Sequence, residues 1–272
     1  MKPKHAAKFP FTQCLLASCV TLSLTCTMHA QVGPGNFTNL NVTGNGTILA
    51  QGDANSPILP SLSAGNRMLW YPRKGAFRAG GGPDSLWTDA AMGNYSTSFG
   101  ISNNASNYAS TAFGVGNTAN GWASTAFGAE NAAFSHVSIA FGEFNIASSY
   151  ASTAFGSFNT ASGEISTAFG TNNTASSYAS TAFGTNNTAS GYYSTAMGFS
   201  TIASSYAETV IGSRNQSIPG NPTAWNPNDS LFQIGNGNTT PSNALTVFKN
   251  GNMTLQGNLT LGGSITSAGQ SV

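Results

Sequence analysis

Tyr150-Ala151-Ser152-Thr153-Ala154-Phe155-Gly156-Ser157-Phe158-Asn159-Thr160-Ala161-Ser162-Gly163 is one turn of the period that decides the fold. Its central phrase, Ser-Thr-Ala-Phe-Gly, returns every fourteen residues. The repeat glycines are Gly100, Gly114, Gly128, Gly142, Gly156, Gly170, Gly184, Gly198 and Gly212, with no slip in spacing. A fixed period of this kind means stacked units that each bury a face only against their neighbours. The expected architecture is a β-solenoid, with its function on the surface rather than in a pocket.

Read against each glycine, the columns are regular. Ala stands two residues before it at 112, 126, 140, 154, 168, 182 and 196, with Ser98 and Val210 at the ends. Phe99, Phe113, Phe127, Phe141, Phe155, Phe169 and Phe183 stand one before it, followed by Met197 and Ile211. Asn comes three residues after it, broken only by Thr201, and Ala comes five after it from Ala105 to Ala203. An aromatic stands six before it in most coils: Tyr108, Trp122, Tyr150, Tyr178, Tyr192 and Tyr206. Ser-Thr-Ala-Phe is extended chain with Ser and Ala on one face and Thr and Phe on the other. Thr-Ala-Ser after the Asn is a second short strand, so two strands and two turns make one flattened coil. Glycine supplies backbone angles that other residues avoid. The Asn column can stack amides from coil to coil. Nine coils at ~4.8 Å each give a rod roughly 40 Å long.

Two arrangements of such a thin coil are open. If Ser, Ala and Gly face inward against the second Ala column, the inside is nearly all methyl-sized and Phe forms a continuous stripe outside. A stripe that long is not left in water by a monomer. Burying it is worth ~10–20 kcal/mol per chain as an upper bound, at ~1.5–3 kcal/mol per Phe. The chain then associates along the Phe99–Phe183 stripe around a shared axis. In the other arrangement Phe fills the roll, and the Ser/Ala face meets solvent or a partner.

Composition agrees with stacking and excludes several functions. Charged residues are only 6% of 272, with a net charge of +1, whereas aromatics reach 11% and recur in register. Disordered chains combine high net charge with few aromatics, so disorder does not follow. A chain this neutral lacks the main driving force for nucleic-acid binding.

Residues 1–30 read as a signal peptide: Lys2, Lys4 and Lys8 precede an apolar run, Leu15 to Leu24, too short to span a membrane. Cleavage after Ala30 leaves Gln31 first. The rival parse, Leu16-Ala17-Ser18-Cys19, is a lipobox with Cys19 as a lipidated N-terminus. Cys14, Cys19 and Cys26 are the only cysteines, so a chain cleaved after Ala30 has no disulfide. It keeps six basic residues against eight acids, a balance of −2, and no transmembrane segment is expected in it.

The flanks differ from the repeats. Residues 31–67 alternate apolar and polar residues broken by Asn-Gly, as short strands with tight turns do, and 213–272 is a similar β-rich segment, echoing it at Asn252 to Thr266. Residues 68–94 gather aromatics and most of the positive charge, including Arg73, Lys74 and Arg78. A solenoid exposes strand edges and an apolar end at its first coil, so this segment is the expected cap, with Trp87 in it. The alternative is a basic-aromatic binding patch. The roll itself is expected over 95–212.

Ser-x-Ala-x-Gly with Ala five residues later, at a fourteen-residue period over 95–212, resembles the head repeats of YadA-like trimeric autotransporter adhesins, the haemagglutinin-type repeats. The resemblance implies a left-handed parallel β-roll, a homotrimer, display on the bacterial cell surface or outer membrane or release outside the cell, and binding to a host matrix protein or surface glycan. Met68 to Gly80 and Asn243 to Asn252 resemble segments beside such heads in bacterial surface and tail-fibre-like proteins. The family continues into a coiled-coil stalk and a membrane β-barrel anchor; the sequence to Val272 shows no heptads and no closing amphipathic strands, so neither is expected in it.

No catalytic constellation is present. His5 and His29 lie in or beside the signal, and His136 takes the place of a column aromatic. Glu130, Glu143, Glu164 and Glu208 fall in four different columns, so they form no carboxylate pair or metal cluster. No enzyme activity, cofactor or metal is expected. Three readings follow: an adhesin-like head with the Tyr108–Tyr206 column as its candidate ligand-contact strip; a structural fibre or spacer without a ligand; and an ice- or crystal-binding solenoid using the Thr column, which Ile139 interrupts. For the aromatic column, ladder stacking that stabilises the turns is the structural alternative.

Overall fold

The computed structural model describes residues 52–56, 58, 65–260 and 262, all within the unit from Leu49 to Val272. Residues 1–30, where a signal peptide is expected, most of 31–67 and nearly all of the sequence after Thr260 lie outside the described residues.

Among the described residues the protein is all-β, with two sheets of fourteen and eight strands. Nine five-residue strands, from Thr97–Ile101 to Thr209–Ser213, carry the Thr-Ala-Phe-Gly phrase, and eight two-residue strands, from Asn104–Ala105 to Ile202–Ala203, follow the Asn column. Successive coils pair in parallel at an offset of one period: Phe155 lies between Phe141 and Phe169, and Gly156 between Gly142 and Gly170. This is the β-solenoid expected from the period. The described residues contain no α-helix, only 3-10 turns at Pro72–Lys74 and Asp84–Trp87. The long sheet continues past the repeats at both ends. Arg67–Tyr71 and Ala76–Gly81 form an antiparallel hairpin laid on Thr97–Ile101. At the far end Ser230–Asn236 adds in parallel, followed by antiparallel Asn243–Phe248 and Met253–Leu255. Of the Asn252 to Thr266 stretch, only Met253–Leu255 is strand among the described residues.

Both Ala columns are fully buried and, with Val210, make one continuous core from end to end. The Ser column is equally buried from Ser96 to Ser194, and the Phe column is not. Of the two arrangements, the sheets therefore meet through methyl and hydroxymethyl groups, with Phe outside. The space between facing Ala columns is too thin for a ring.

The buried Asn column satisfies its own amides. Asn159 Nδ2 donates to Asn145 Oδ1 at 3.0 Å, Phe155 O at 3.0 Å and Gly170 O at 2.8 Å. Its Oδ1 accepts from the backbone N and Nδ2 of Asn173, both at 3.0 Å. Each amide thus bonds its own coil and both neighbours, which a buried polar group requires. Thr201 ends the ladder with its hydroxyl on Asn187 Oδ1 at 2.7 Å.

Two further columns hold positive φ in residues other than glycine, Gly116 excepted, five residues before and two residues after each repeat glycine; Ala151 at 50° and Phe158 at 58° are examples. The left-handed region costs an ordinary residue roughly 1–2 kcal/mol. Stacking offsets it, because each such N–H donates to the preceding coil: Ala151 to His136 O and Phe158 to Glu143 O, both at 3.0 Å.

The repeat glycines meet a stricter limit. Gly156 has φ 117°, and a Cβ there would sit 2.0 Å from Gly170 O. Gly156→Ala is therefore expected to destabilise the fold by about 3 kcal/mol or more, against less than about 0.5 kcal/mol for Ser157→Ala beside it. Denaturant unfolding of the two variants checks the contrast; equal midpoints would contradict it.

Candidate interaction surface

The outward Phe column forms one ridge. From Phe113 to Phe183 neighbouring rings stack with centroids 4.8–5.0 Å apart and planes within 3–6°. Phe99 joins at 5.8 Å, tilted by 42°, and Phe77 of the N-terminal hairpin packs on Phe99 at 5.3 Å. The rings from Phe113 to Phe183 are 38–45% exposed even after this mutual burial, and Phe99 is half-buried. Met197 and Ile211 extend the column, pairing with Phe183 and Ile234 respectively. The Thr column beside it is only half-buried, except for exposed Ile139. Parallel backbone registry is the cause: identical residues one coil apart must lie over one another.

The second candidate column runs along a turn edge. Tyr108 stacks on Trp122 at 5.7 Å with planes 4° apart, and Trp122 on His136 at 6.3 Å. Glu164 interrupts the column between Tyr150 and Tyr178. Beyond it Tyr178 meets Tyr192 at 5.9 Å and Tyr193 at 5.4 Å, and Tyr193 meets Tyr206 edge-on at 5.4 Å. Tyr108, Trp122, Tyr150 and Tyr192 are exposed, whereas Tyr178 and Tyr206 are half-buried. Tyr193 and Tyr95 lie one residue out of the column, yet their rings enter it, Tyr95 against Tyr108 at 5.3 Å. They sit in the left-handed turn, whose geometry is not visible in a column count. Where the rings stack, their faces are covered by neighbours and mostly edges and hydroxyls remain for a ligand.

Two buried charged residues, Arg78 and Glu208, sit at opposite ends of the repeats. Arg78 pairs with Ser98 at the head of the inner Ala column. Its guanidinium donates to Leu86 O and Ala91 O at 2.6 Å and to Ala105 O at 2.8 Å. Burial pushes Arg78 down to about 10, which leaves it charged at neutral pH. Tyr71, Ala76, Trp87 and Met92 pack together in the same segment. Its other cations are also engaged: Lys74 Nζ donates to Met92 O at 2.8 Å and pairs with Asp89 at 3.4 Å, while Arg73 Nη1 donates to Ala54 O at 2.8 Å. The Tyr71 hydroxyl and these cations hold Asp89 below the usual carboxylate range. At the opposite end Glu208 replaces Ser in the buried column. It accepts from the backbone N of Ser204 and Ser205 at 2.7 and 2.9 Å, from the Ser230 hydroxyl, and from Gln233 Nε2 at 2.6 Å. A long loop packs over that end: Lys249 pairs with Asp229 at 3.8 Å, its ammonium 5.5 Å from the Trp225 ring. Column counting passes over Arg78 and Glu208 as site residues; the signal available was a charged residue standing in an inward column.

Among the described residues no group of His, Cys, Asp or Glu could hold a metal, and no helix is long and apolar enough to cross a membrane. The geometry defines a parallel β-solenoid with a filled interior and an apolar outer ridge. The family model described as YadA head domain repeat (2 copies) matches residues 91–117, 105–131, 138–159, 147–173, 161–187 and 175–201. Residues 91–201 thus carry YadA-like head repeats, and the matched windows omit only 132–137 within that span. No curated protein matches the chain.

Glu208 gives a pH test of the C-terminal closure. Burial raises its carboxyl above the ordinary Glu value of 4.5, against the pull of its hydrogen bonds. The folded state then binds the proton more tightly than the unfolded one, so stability declines as pH rises from about 4.5 through the raised value. Unfolding midpoints across this interval should show that decline, and Glu208→Gln should remove it; an unchanged slope in the variant would contradict the assignment.

Proposed function

We propose that the chain is an adhesin-like head, a homotrimer packed along the Phe99–Phe183 ridge and displayed at a bacterial surface or released from the cell. One observation carries this reading: the interior is already filled by Ala and Ser, so the stacked Phe rings have no place in the core and stay exposed along one ridge. A long apolar ridge on a soluble coil is the signature of an association surface. Three-fold closure around one axis covers such a ridge without leaving an open filament. The YadA-like repeats favour attachment as the purpose, with a host matrix protein or surface glycan as ligand and no catalysis. On this reading residues 1–30 export the chain, 68–94 cap the roll, 95–212 form the head, and the β-rich 31–67 and 213–272 segments flank it. Contact would then be weak per site and multiplied by the trimer, which raises avidity by factors of roughly 10²–10⁴.

A structural spacer is the second reading. It is favoured by the Tyr108–Trp122 stack, in which rings cover each other's faces rather than offering them outward.

Sedimentation combined with bead attachment separates the two. The protein should sediment as a trimer, and Phe127→Ser/Phe141→Ser/Phe155→Ser as a folded species of lower mass; a monomeric wild type at micromolar concentration would remove the ridge argument. Beads carrying the trimer should adhere to matrix- or glycan-coated surfaces, and Tyr150→Ser/Tyr178→Ser/Tyr192→Ser should reduce adhesion with the trimer intact. Absence of adhesion by a verified trimer would leave the spacer.

A further inference from the structure

One edge of the roll departs from its own repeat. In the column two residues after each glycine, most coils carry Ser102, Gly116, Asn172, Asn186 or Ser200, whereas the middle coils carry Glu130, Phe144 and Phe158. All three of these hold left-handed backbone, at φ 53°, 53° and 58°. Asn and Gly suit that conformation; Phe does not, and it is not buried in the core in return. Phe144 and Phe158 are 43% and 54% exposed, and stack on each other at 5.0 Å. Ile146, two residues beyond Phe144, is an exposed member of the short-strand sheet between Ala132 and Thr160, and exposed Phe134 follows one coil earlier. The pair lies outside the Ala core and departs from the small polar residues of neighbouring coils, and strained, outward residues of this kind cluster at ligand contacts.

The charge at the same edge defines the occupant. Glu130 and Glu143 are exposed and flank Phe144 in sequence and register. The Glu130 carboxylate lies across Gly116, where a Cβ would meet its Oε1 at 2.2 Å. No Lys or Arg occurs between Arg78 and Arg214, and neither glutamate takes part in a salt bridge among the described residues. No cation of the roll between Arg78 and Arg214 therefore competes for these carboxylates, which leaves them open to a cationic partner.

We propose that Glu130, Phe134, Glu143, Phe144, Ile146 and Phe158 form a docking site for a segment of a partner protein in which Lys or Arg stands beside an aliphatic or aromatic residue. The apolar side chain covers the Phe144–Phe158 pair, and its cationic neighbour meets the two carboxylates. The site lies in a different column from the Phe99–Phe183 ridge, so it does not rest on trimer formation.

Fluorescence anisotropy with a short labelled peptide of alternating Lys and Leu tests this on the full chain. The peptide should bind roughly tenfold tighter than controls with Ser for Leu or Glu for Lys, and more weakly in high salt. Phe144→Asn/Phe158→Asn installs the residue of neighbouring coils, so the fold should persist by circular dichroism while affinity falls roughly tenfold. Glu130→Gln/Glu143→Gln should weaken binding and remove most of its salt dependence. Equal binding of the Ser control, or unchanged affinity in the Asn double variant, would overturn the proposal. So would a shift in sedimenting mass of that variant with peptide binding intact, since the patch would then join copies of this chain.

Discussion

At the glycine column one coil lies so close to the next that no β-carbon fits between them. The rest of the structure depends on this approach. It lets each Asn amide reach the carbonyls of its own coil and the next, so that one side chain serves both as turn lock and as inter-coil bond. The same approach brings the N–H groups of the two left-handed turns onto the preceding coil and makes tolerable a conformation that Ala, Ile or Phe would otherwise avoid. Cohesion is thus mainly polar and axial, and apolar burial across the roll is left to methyl groups.

A roll this thin has two consequences. Large side chains are forced outward, which turns sequence repetition into surface repetition: a Phe in the phrase becomes a ridge, and a Tyr at the turn becomes a ladder. Secondly, the ends cannot be closed by apolar residues alone, because each terminal coil presents polar backbone as well as Ala. Arg78 and Glu208 answer this with opposite chemistry. The guanidinium donates to three carbonyls at one end, and the carboxylate accepts from two amides and two side chains at the other. Both are buried ionisable groups, held by directed hydrogen bonds rather than by a counter-ion.

Much of this was legible in the residues. The period defines the coil, alternation assigns Ser and Ala to one face and Thr and Phe to the other, and the Asn column implies an amide ladder. Which face turns inward was not legible, because strand alternation is symmetric and only the distance between the sheets breaks the tie. Also hidden were the left-handed turns filled by Ala, since turn chemistry leads one to seek Gly or Asn there. Tyr193 joins the aromatic edge through that same turn, out of column. The buried roles of Arg78 and Glu208 were not legible, because a single charge reads as surface variation until its burial is known.

In-register pairing has one more consequence. Each coil offers its successor the same surface it received from its predecessor, so the end plugs meet identical faces whatever number of coils lies between them. Adding or removing one fourteen-residue unit would change the length by ~4.8 Å and disturb neither closure. Reach is therefore a quantity that duplication or unequal recombination within the gene can set in fixed steps, with no other part of the molecule redesigned.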